Sequence, residues 1–220
     1  LRAALDAHLP GPRLRAVLLD AEGPHFSFGA SVEEHLPDSC AAMLRDLHAL
    51  ILQMLSSPVA ILLAVRGQCL GGGLEVAAAG HRIFAAPGAT LGQPEMKLGV
   101  FAPAASCLLP ERIGQSRAED LLLSGRSVGA EEAHRIGLVD ALAEDPEAAA
   151  LAWFDDHIAP KSASSLRLAV RAARAGFRER VAEKIPRVER LYLTELMATR
   201  DAVEGLSAFI AKRPPMWEDR

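Results

Sequence analysis

Between Val59 and Val65 the chain runs through seven consecutive apolar residues, Val-Ala-Ile-Leu-Leu-Ala-Val, and passes without a spacer into Arg66-Gly67-Gln68-Cys69-Leu70-Gly71-Gly72-Gly73-Leu74-Glu75-Val76-Ala77-Ala78-Ala79-Gly80. A strand with no polar alternation is one buried on both faces, as in a parallel sheet covered by helices. The alanine-rich run after it is helical in character, so three glycines stand where the chain turns from sheet to helix. That restricts the fold to a crossover α/β arrangement and marks the corner as a place where main-chain groups are accessible.

Glycine permits positive φ and lets another molecule approach the backbone without a Cβ in the way. The first N–H groups of the following helix have no intrahelical partner, and the helix dipole adds partial positive charge there. Such a corner suits an anion or an oxygen that gains negative charge during reaction. Glu75, one turn into the helix, is placed to activate a water or accept a proton. Taken alone, the stretch reads equally well as a glycine-rich turn with a solvated glutamate.

The flanking chain extends the α/β pattern. Leu14–Asp20 reads as a buried strand after a Pro-Gly-Pro break, and Arg82–Ala86 as a third strand closed by Pro87-Gly88. Between the first two strands, Met43, Leu47, Leu50, Ile51 and Met54 recur at helical spacing, predicting a helix from about Pro37 to Leu55. Both glycine-bearing loops, Ala21–Ser31 and the corner, then follow strands on their carboxyl side, where such folds bind ligands. Thr90–Val100 reads as a compact loop carrying a second glutamate, Glu95, beside Leu91, Met96 and Leu98. A carboxyl held among such side chains keeps its proton near neutral pH; by itself Glu95 is the kind of residue that sits on a surface.

Composition narrows the partners. With 24 Lys and Arg against 28 Asp and Glu, the net charge of −4 gives no general attraction to nucleic acid or anionic membrane. An anionic ligand has to be held locally. The three cysteines, Cys40, Cys69 and Cys107, show no paired-ligand spacing, and the seven histidines do not cluster, so no metal is expected and a reducing compartment is. With no apolar run long enough to span a bilayer, a cytoplasmic protein is expected. Leu1-Arg2-Ala3-Ala4-Leu5 reads as the middle or end of an amphipathic helix, which suggests an incomplete N-terminus.

From Ala104 onward the pattern is helical: Ala104–Ile113, Arg117–Ser124, Ala130–Ile136, Pro146–Ile158, Ser162–Ala175, Arg178–Met197 and Asp201–Ala211. A composition shift near Asp145 places a boundary between a core, residues 1–145, and a helical region, residues 146–220. There Arg167, Arg171, Arg174 and Arg178 share one helix face, which reads either as a phosphate or RNA contact or, preferably, as a solvated face or a set of intersubunit salt bridges.

Four segments together resemble the crotonase family, the enoyl-CoA hydratase/isomerase superfamily: Phe28-Gly29-Ala30; Gly67-x3-Gly71-Gly72-Gly73-x-Glu75; Gly92-Gln93-Pro94-Glu95-x3-Gly99; and Glu204-Gly205-x2-Ala208-Phe209-x2-Lys212-Arg213. The resemblance implies an α/β spiral of ββα units with a C-terminal helical region that mediates trimers or dimers of trimers. It implies an acyl-CoA substrate, with coenzyme A as part of that substrate and no separate cofactor. The backbone N–H groups of Ala30 and Gly72 would form an oxyanion hole for the thioester carbonyl. Glu75 would orient and deprotonate water, and Glu95 would donate a proton to carbon. Phe28, Gly71 and Phe101 would line the substrate site, while Phe209 and Lys212 would reach the CoA of a neighbouring subunit.

Retention of both glutamates favours hydration over the isomerase and dehalogenase chemistries of the family. Ala102-Pro103-Ala104-Ala105-Ser106-Cys107 departs from the Pro-Gly-Ala-Gly-Gly run of many short-chain hydratases, and the strands and CoA-binding loop with which the family begins are missing ahead of Leu1. The wording of Phe26–Pro37 and Phe101–Cys107 resembles the branch of the family that hydrates a cyclic dienoyl-CoA to a 6-hydroxycyclohexene thioester in anaerobic aromatic degradation. In that reading Ala102, Ala104, Phe28 and Phe101 shape a pocket for a six-membered ring. A general enoyl-CoA hydratase or isomerase and an RNA-binding homologue are the alternatives. His35 reads either as assisting in the pocket or, preferably, as a cap or surface residue before a helix start, and Ser31 stands where many relatives have Asp.

Overall fold

The computed structural model describes residues 1–220. The chain opens with α1 (Arg2–His8) and β1 (Ala16–Leu19), then a 3-10 turn (Val32–His35) and α2 (Cys40–Leu55). Next come β2 (Ala60–Val65), β3 (Gln68–Leu70), α3 (Gly72–Ala79), β4 (Arg82–Ala85), β5 (Thr90–Gly92) and a second 3-10 turn (Pro94–Leu98). The remainder is α4 (Ala105–Ile113), α5 (Gln115–Ser124), β6 (Ser127–Gly129), α6 (Ala130–Arg135), β7 (Ala141–Leu142), α7 (Pro146–His157), α8 (Ala163–Thr194) and α9 (Arg200–Ile210).

The seven strands divide between two sheets. One is wholly parallel in the order β1-β2-β4-β7, with Leu18 opposite Leu62 and Leu63 opposite Ile83; the other runs β3-β5-β6, with only the last pair antiparallel. Successive strands such as β2 and β3, or β4 and β5, therefore go to different sheets before a helix returns the chain, which is the ββα spiral expected above. The apolar run of β2 has its reason here. Ile61, Leu63 and Val65 enter the main core, while Ala60 and Leu62 meet Phe84 and Ala150 on the opposite face, under α7.

Several sequence expectations change. β1 is half-buried rather than buried, because it lies at the edge of its sheet. Gln68–Leu70, Thr90–Gly92 and Ser127–Gly129 are strands of three residues, too short for a period-two pattern to show. The two helices read as Ser162–Ala175 and Arg178–Met197 are one helix of 32 residues passing through Gly176 and Pro186. Glycine inside a helix costs only about 1 kcal/mol, and burial of Val181 and Ile185 in the main core, with Phe177 packed against it, outweighs that. The face read as a basic stripe is partly internal: Arg167 donates to the carbonyls of Leu9 and Gly11, and Arg174 to those of Ala79 and Gly80. No helix is long and apolar enough to cross a membrane.

Candidate active site

The glycine corner is a strand-to-helix turn held by its neighbours. The segment Phe26–Gly29 runs beside β3, with Ser27 N–H donating to Gln68 O at 3.0 Å and Leu70 N–H to Ser27 O at 2.9 Å. This brings the following residues, Gly29 and Ala30, against the start of α3. Gly29 has φ +90°, and a Cβ there would lie 2.9 Å from Gly72 N; a Cβ on Gly72 would lie 3.6 Å from Ala30 N. Neither the Ala30 nor the Gly72 amide donates to any protein acceptor. Two free N–H groups, one at a helix N-terminus, thus stand side by side, an arrangement suited to an oxygen acquiring negative charge.

Two cavities meet at this pair. The outer one, about 490 Å3, is lined mainly by apolar groups, among them Leu19, Ala21, Phe26 and Val76. The inner one, about 10 Å3, is the size of a single water molecule and is lined by Glu75, Glu95, His35, Phe101, Ala102 and Pro103. Ala30, Met43, Leu47 and Gly72 belong to both.

Both glutamates are buried, Glu75 at 3% and Glu95 at 8% exposure, so the reading of Glu95 as a surface residue gives way to the buried one. Glu75 N–H donates to Gly71 O at 3.0 Å, and its Oε1 accepts from Ala105 N–H at 2.7 Å, at the start of α4. Gly71, at φ +53°, must be glycine: a Cβ there would lie 2.7 Å from Glu95 Oε1. Gln93, fully buried, reaches both oxygens of Glu95 at 3.1 and 3.0 Å when its amide nitrogen faces them.

Burial pushes Glu75 up to about 7, opposed by the hydrogen bonds from the α4 N-terminus. Burial, with the charge of Glu75, pushes Glu95 up to about 8. Both carboxyls are thus held well above the ordinary carboxylate range, and the charge of one disfavours that of the other, so near neutral pH the pair can share one proton and hold a base and an acid together.

Of the residues expected from sequence, the structure brings together Ala30, Gly71, Gly72, Glu75, Glu95 and Phe101. Phe28 is not among them. It is 63% exposed and lines neither cavity; its ring packs edge-on to His25, 5.1 Å away, whose imidazole is held by Gln68 N–H. Phe209, 56% exposed, and Lys212, just past α9, lie on the surface of the single chain, away from both cavities. Ser31 caps the first 3-10 turn in a reciprocal box with Glu34, which accounts for serine there. Sequence reasoning did not find Gln93 or Tyr192. Gln93 sits inside the Gly-Gln-Pro-Glu motif and was legible as a neighbour of Glu95; Tyr192 carried no local signal. His35, read either as a pocket residue or, preferably, as a cap or surface residue, lines the inner cavity, which favours the former.

The family model described as enoyl-CoA hydratase/isomerase matches residues 1–220. The chain is 69% identical over 220 residues to the cyclohexa-1,5-dienecarbonyl-CoA hydratase of Thauera aromatica, covering 100% of this chain and 85% of that protein. An enoyl-CoA hydratase/isomerase from Pseudoalteromonas atlantica T6c superposes with a TM-score of 0.81 at 29% identity, covering 98% of this chain and 88% of that one. An enoyl-CoA hydratase from Mycobacterium avium gives 0.87 at 26% identity, over 97% and 83%.

Proposed function

Since the chain belongs to the enoyl-CoA hydratase/isomerase family, we propose that it adds water to a conjugated cyclic dienoyl-CoA thioester, giving 6-hydroxycyclohex-1-ene-1-carbonyl-CoA in anaerobic aromatic degradation. The observation that carries the proposal is the junction of the cavities: two unpartnered amides separate an open apolar cleft from a closed compartment holding a buried carboxyl pair. The identity to the Thauera protein supplies the acyl group.

In this reading the CoA arm occupies the outer cavity, the ring enters the inner one, and the thioester oxygen rests on the Ala30 and Gly72 amides. Glu75 takes a proton from water as its oxygen bonds to the ring carbon β to the carbonyl. The displaced electron pair moves to the thioester oxygen, where the two donors stabilise it. Glu95 gives its proton to a ring carbon of the extended enolate, and a proton passing between the two carboxyls restores the starting state. No metal or separate cofactor takes part in any step. The inner cavity is smaller than a six-membered ring, so Met43, Leu47 and Phe101 must yield as the ring enters. A homotrimer or dimer of trimers completes the reading, with Phe209 and Lys212 serving the CoA of a neighbouring subunit in a cytoplasmic enzyme; light scattering on the purified protein tests the assembly.

The decisive experiment is turnover of cyclohexa-1,5-diene-1-carbonyl-CoA beside crotonyl-CoA. Faster hydration of the cyclic thioester is expected; faster hydration of crotonyl-CoA assigns the chain to general enoyl-CoA chemistry.

A further inference from the structure

One polar pair at the wall of the inner compartment, His35 and Tyr192, has no part in the chemistry above. Tyr192, the only tyrosine in the chain, is completely buried on α8, and the sole hydrogen-bond partner of its hydroxyl is His35 Nδ1 at 3.1 Å. Its ring stands edge-on to Phe101, with centroids 5.3 Å apart at 70°. Phe101 and His35 both line the inner cavity with Glu75 and Glu95. A residue 157 positions away in sequence thus fixes a histidine in the wall of the reaction compartment.

The chemistry of the pair fixes the tautomer. A buried phenol has one proton to donate, and His35 Nδ1 is the only acceptor within reach, so Nδ1 carries a lone pair. Burial holds the imidazole below its ordinary value, against the opposing charge of Glu34, and raises the Tyr192 hydroxyl further, so both are neutral near pH 7. A neutral imidazole accepting at Nδ1 carries its hydrogen on Nε2. Nε2 makes no hydrogen bond to the protein, and the ring it belongs to faces a compartment whose other polar side chains are the two carboxyls. A carboxyl pair sharing one proton offers mostly acceptors; His35 offers a donor.

We propose that His35 touches the substrate: its Nε2–H, fixed by the positioning residue Tyr192, donates to the oxygen that hydration installs on the ring, and makes the pocket selective for a hydroxylated ring over a purely hydrocarbon acyl group. The proposal rests on the ring-hydration reading of the site. It also gives α8 a role in recognition, since the hydroxyl that orders His35 comes from that helix. The selectivity follows because the hydroxylated ring gains a hydrogen bond to Nε2–H that a hydrocarbon ring has no oxygen to accept.

The test measures binding in the full chain carrying Glu95→Gln, which slows turnover of the ligands. Dissociation constants are compared for 6-hydroxycyclohex-1-ene-1-carbonyl-CoA and for cyclohex-1-ene-1-carbonyl-CoA, which lacks the hydroxyl. The hydroxylated ligand is expected to bind about tenfold more tightly. His35→Phe should bring the ratio close to one while leaving the hydrocarbon ligand nearly unaffected, and His35→Gln, which keeps a donor, should restore most of it. Tyr192→Phe frees Nδ1 to carry the proton and should lower the ratio by about threefold; this arm decides the matter if His35→Phe does not fold. A purely structural role for the pair would change both affinities together. An unchanged ratio in His35→Phe, or in Tyr192→Phe when that is the only folded variant, overturns the assignment of His35 while leaving the proposed function standing. Failure of either ring thioester to bind the parent protein removes the proposed function and this assignment with it.

Discussion

The outer cavity, about 490 Å3 and lined mostly by apolar side chains, shares Ala30, Met43, Leu47 and Gly72 with an inner cavity of about 10 Å3 that holds two carboxyls and an imidazole. The larger space has the shape of a preformed binding cleft, whereas the smaller must open to admit anything beyond a water. The electrostatic contrast is stronger. Inside the closed compartment each carboxyl is desolvated enough to titrate near neutrality, and the donors at its mouth act with little competing solvent. In the proposed mechanism the outer cleft supplies affinity and the inner compartment supplies chemistry, with Ala30 and Gly72, which line both, as the shared boundary. Substitutions on either side should therefore separate turnover from binding.

The largest effect is expected at the boundary itself. Gly29→Ala would force a Cβ to within 2.9 Å of Gly72 N at a φ of +90°, displacing one of the two proposed oxyanion donors and lowering kcat by about 10²–10³-fold. Gly72→Ala meets only ordinary contacts at 3.6 Å and should fold normally with a smaller loss. Equal losses in the two variants would contradict the placement of the donors. Within the inner compartment, Glu75→Gln and Glu95→Gln should each lower kcat by ~10²-fold or more with acyl-CoA binding nearly intact. Near-normal turnover in either variant takes that residue out of the mechanism. On the outer side, Ala21→Trp should raise KM by about tenfold by partly filling the cleft, with kcat almost unchanged; a loss confined to kcat would show that the cleft is not the CoA path.

The pH profile sharpens the same contrast. kcat/KM should follow a narrow bell near pH 7–8, rising as the carboxyl pair loses its first proton and falling as it loses its second. A rate that stays level to pH 9.5 would rule out Glu95 as the proton donor. Stability moves with the same groups. Both folded-state values lie above the ordinary 4.5, so between 4.5 and about 8 the folded chain binds more protons than the unfolded one. The stability contributed by the protonated pair is complete below 4.5 and is lost as pH rises to about 8. Replacing either glutamate with glutamine should flatten that decline and raise the melting temperature at pH 8 by about 2–4 °C. A melting temperature that falls in both variants would mean that the burial of the carboxyls is not what strains this compartment.

The sequence by itself determined the scaffold and its chemistry-bearing corner. An uninterrupted apolar strand had to be covered on both faces; the glycines had to sit where the backbone turns; two glutamates in glycine-punctuated motifs had to meet it for the pattern to make sense as a site. These are local constraints, written in runs of neighbouring residues. Tertiary structure decided the rest, because burial and pairing are not local properties. Three-residue strands assemble a second sheet that no periodicity announces. Glu95 holds its proton toward neutral pH only because the fold removes it from water, and Phe28, equivalent to Phe101 in the sequence, is left in solvent while Phe101 enters the wall. His35 lines the inner cavity with its Nδ1 held by the hydroxyl of a tyrosine on a distant helix, and the long reach of α8 exists because apolar burial along its length outweighs the local preference of Gly176 to end a helix.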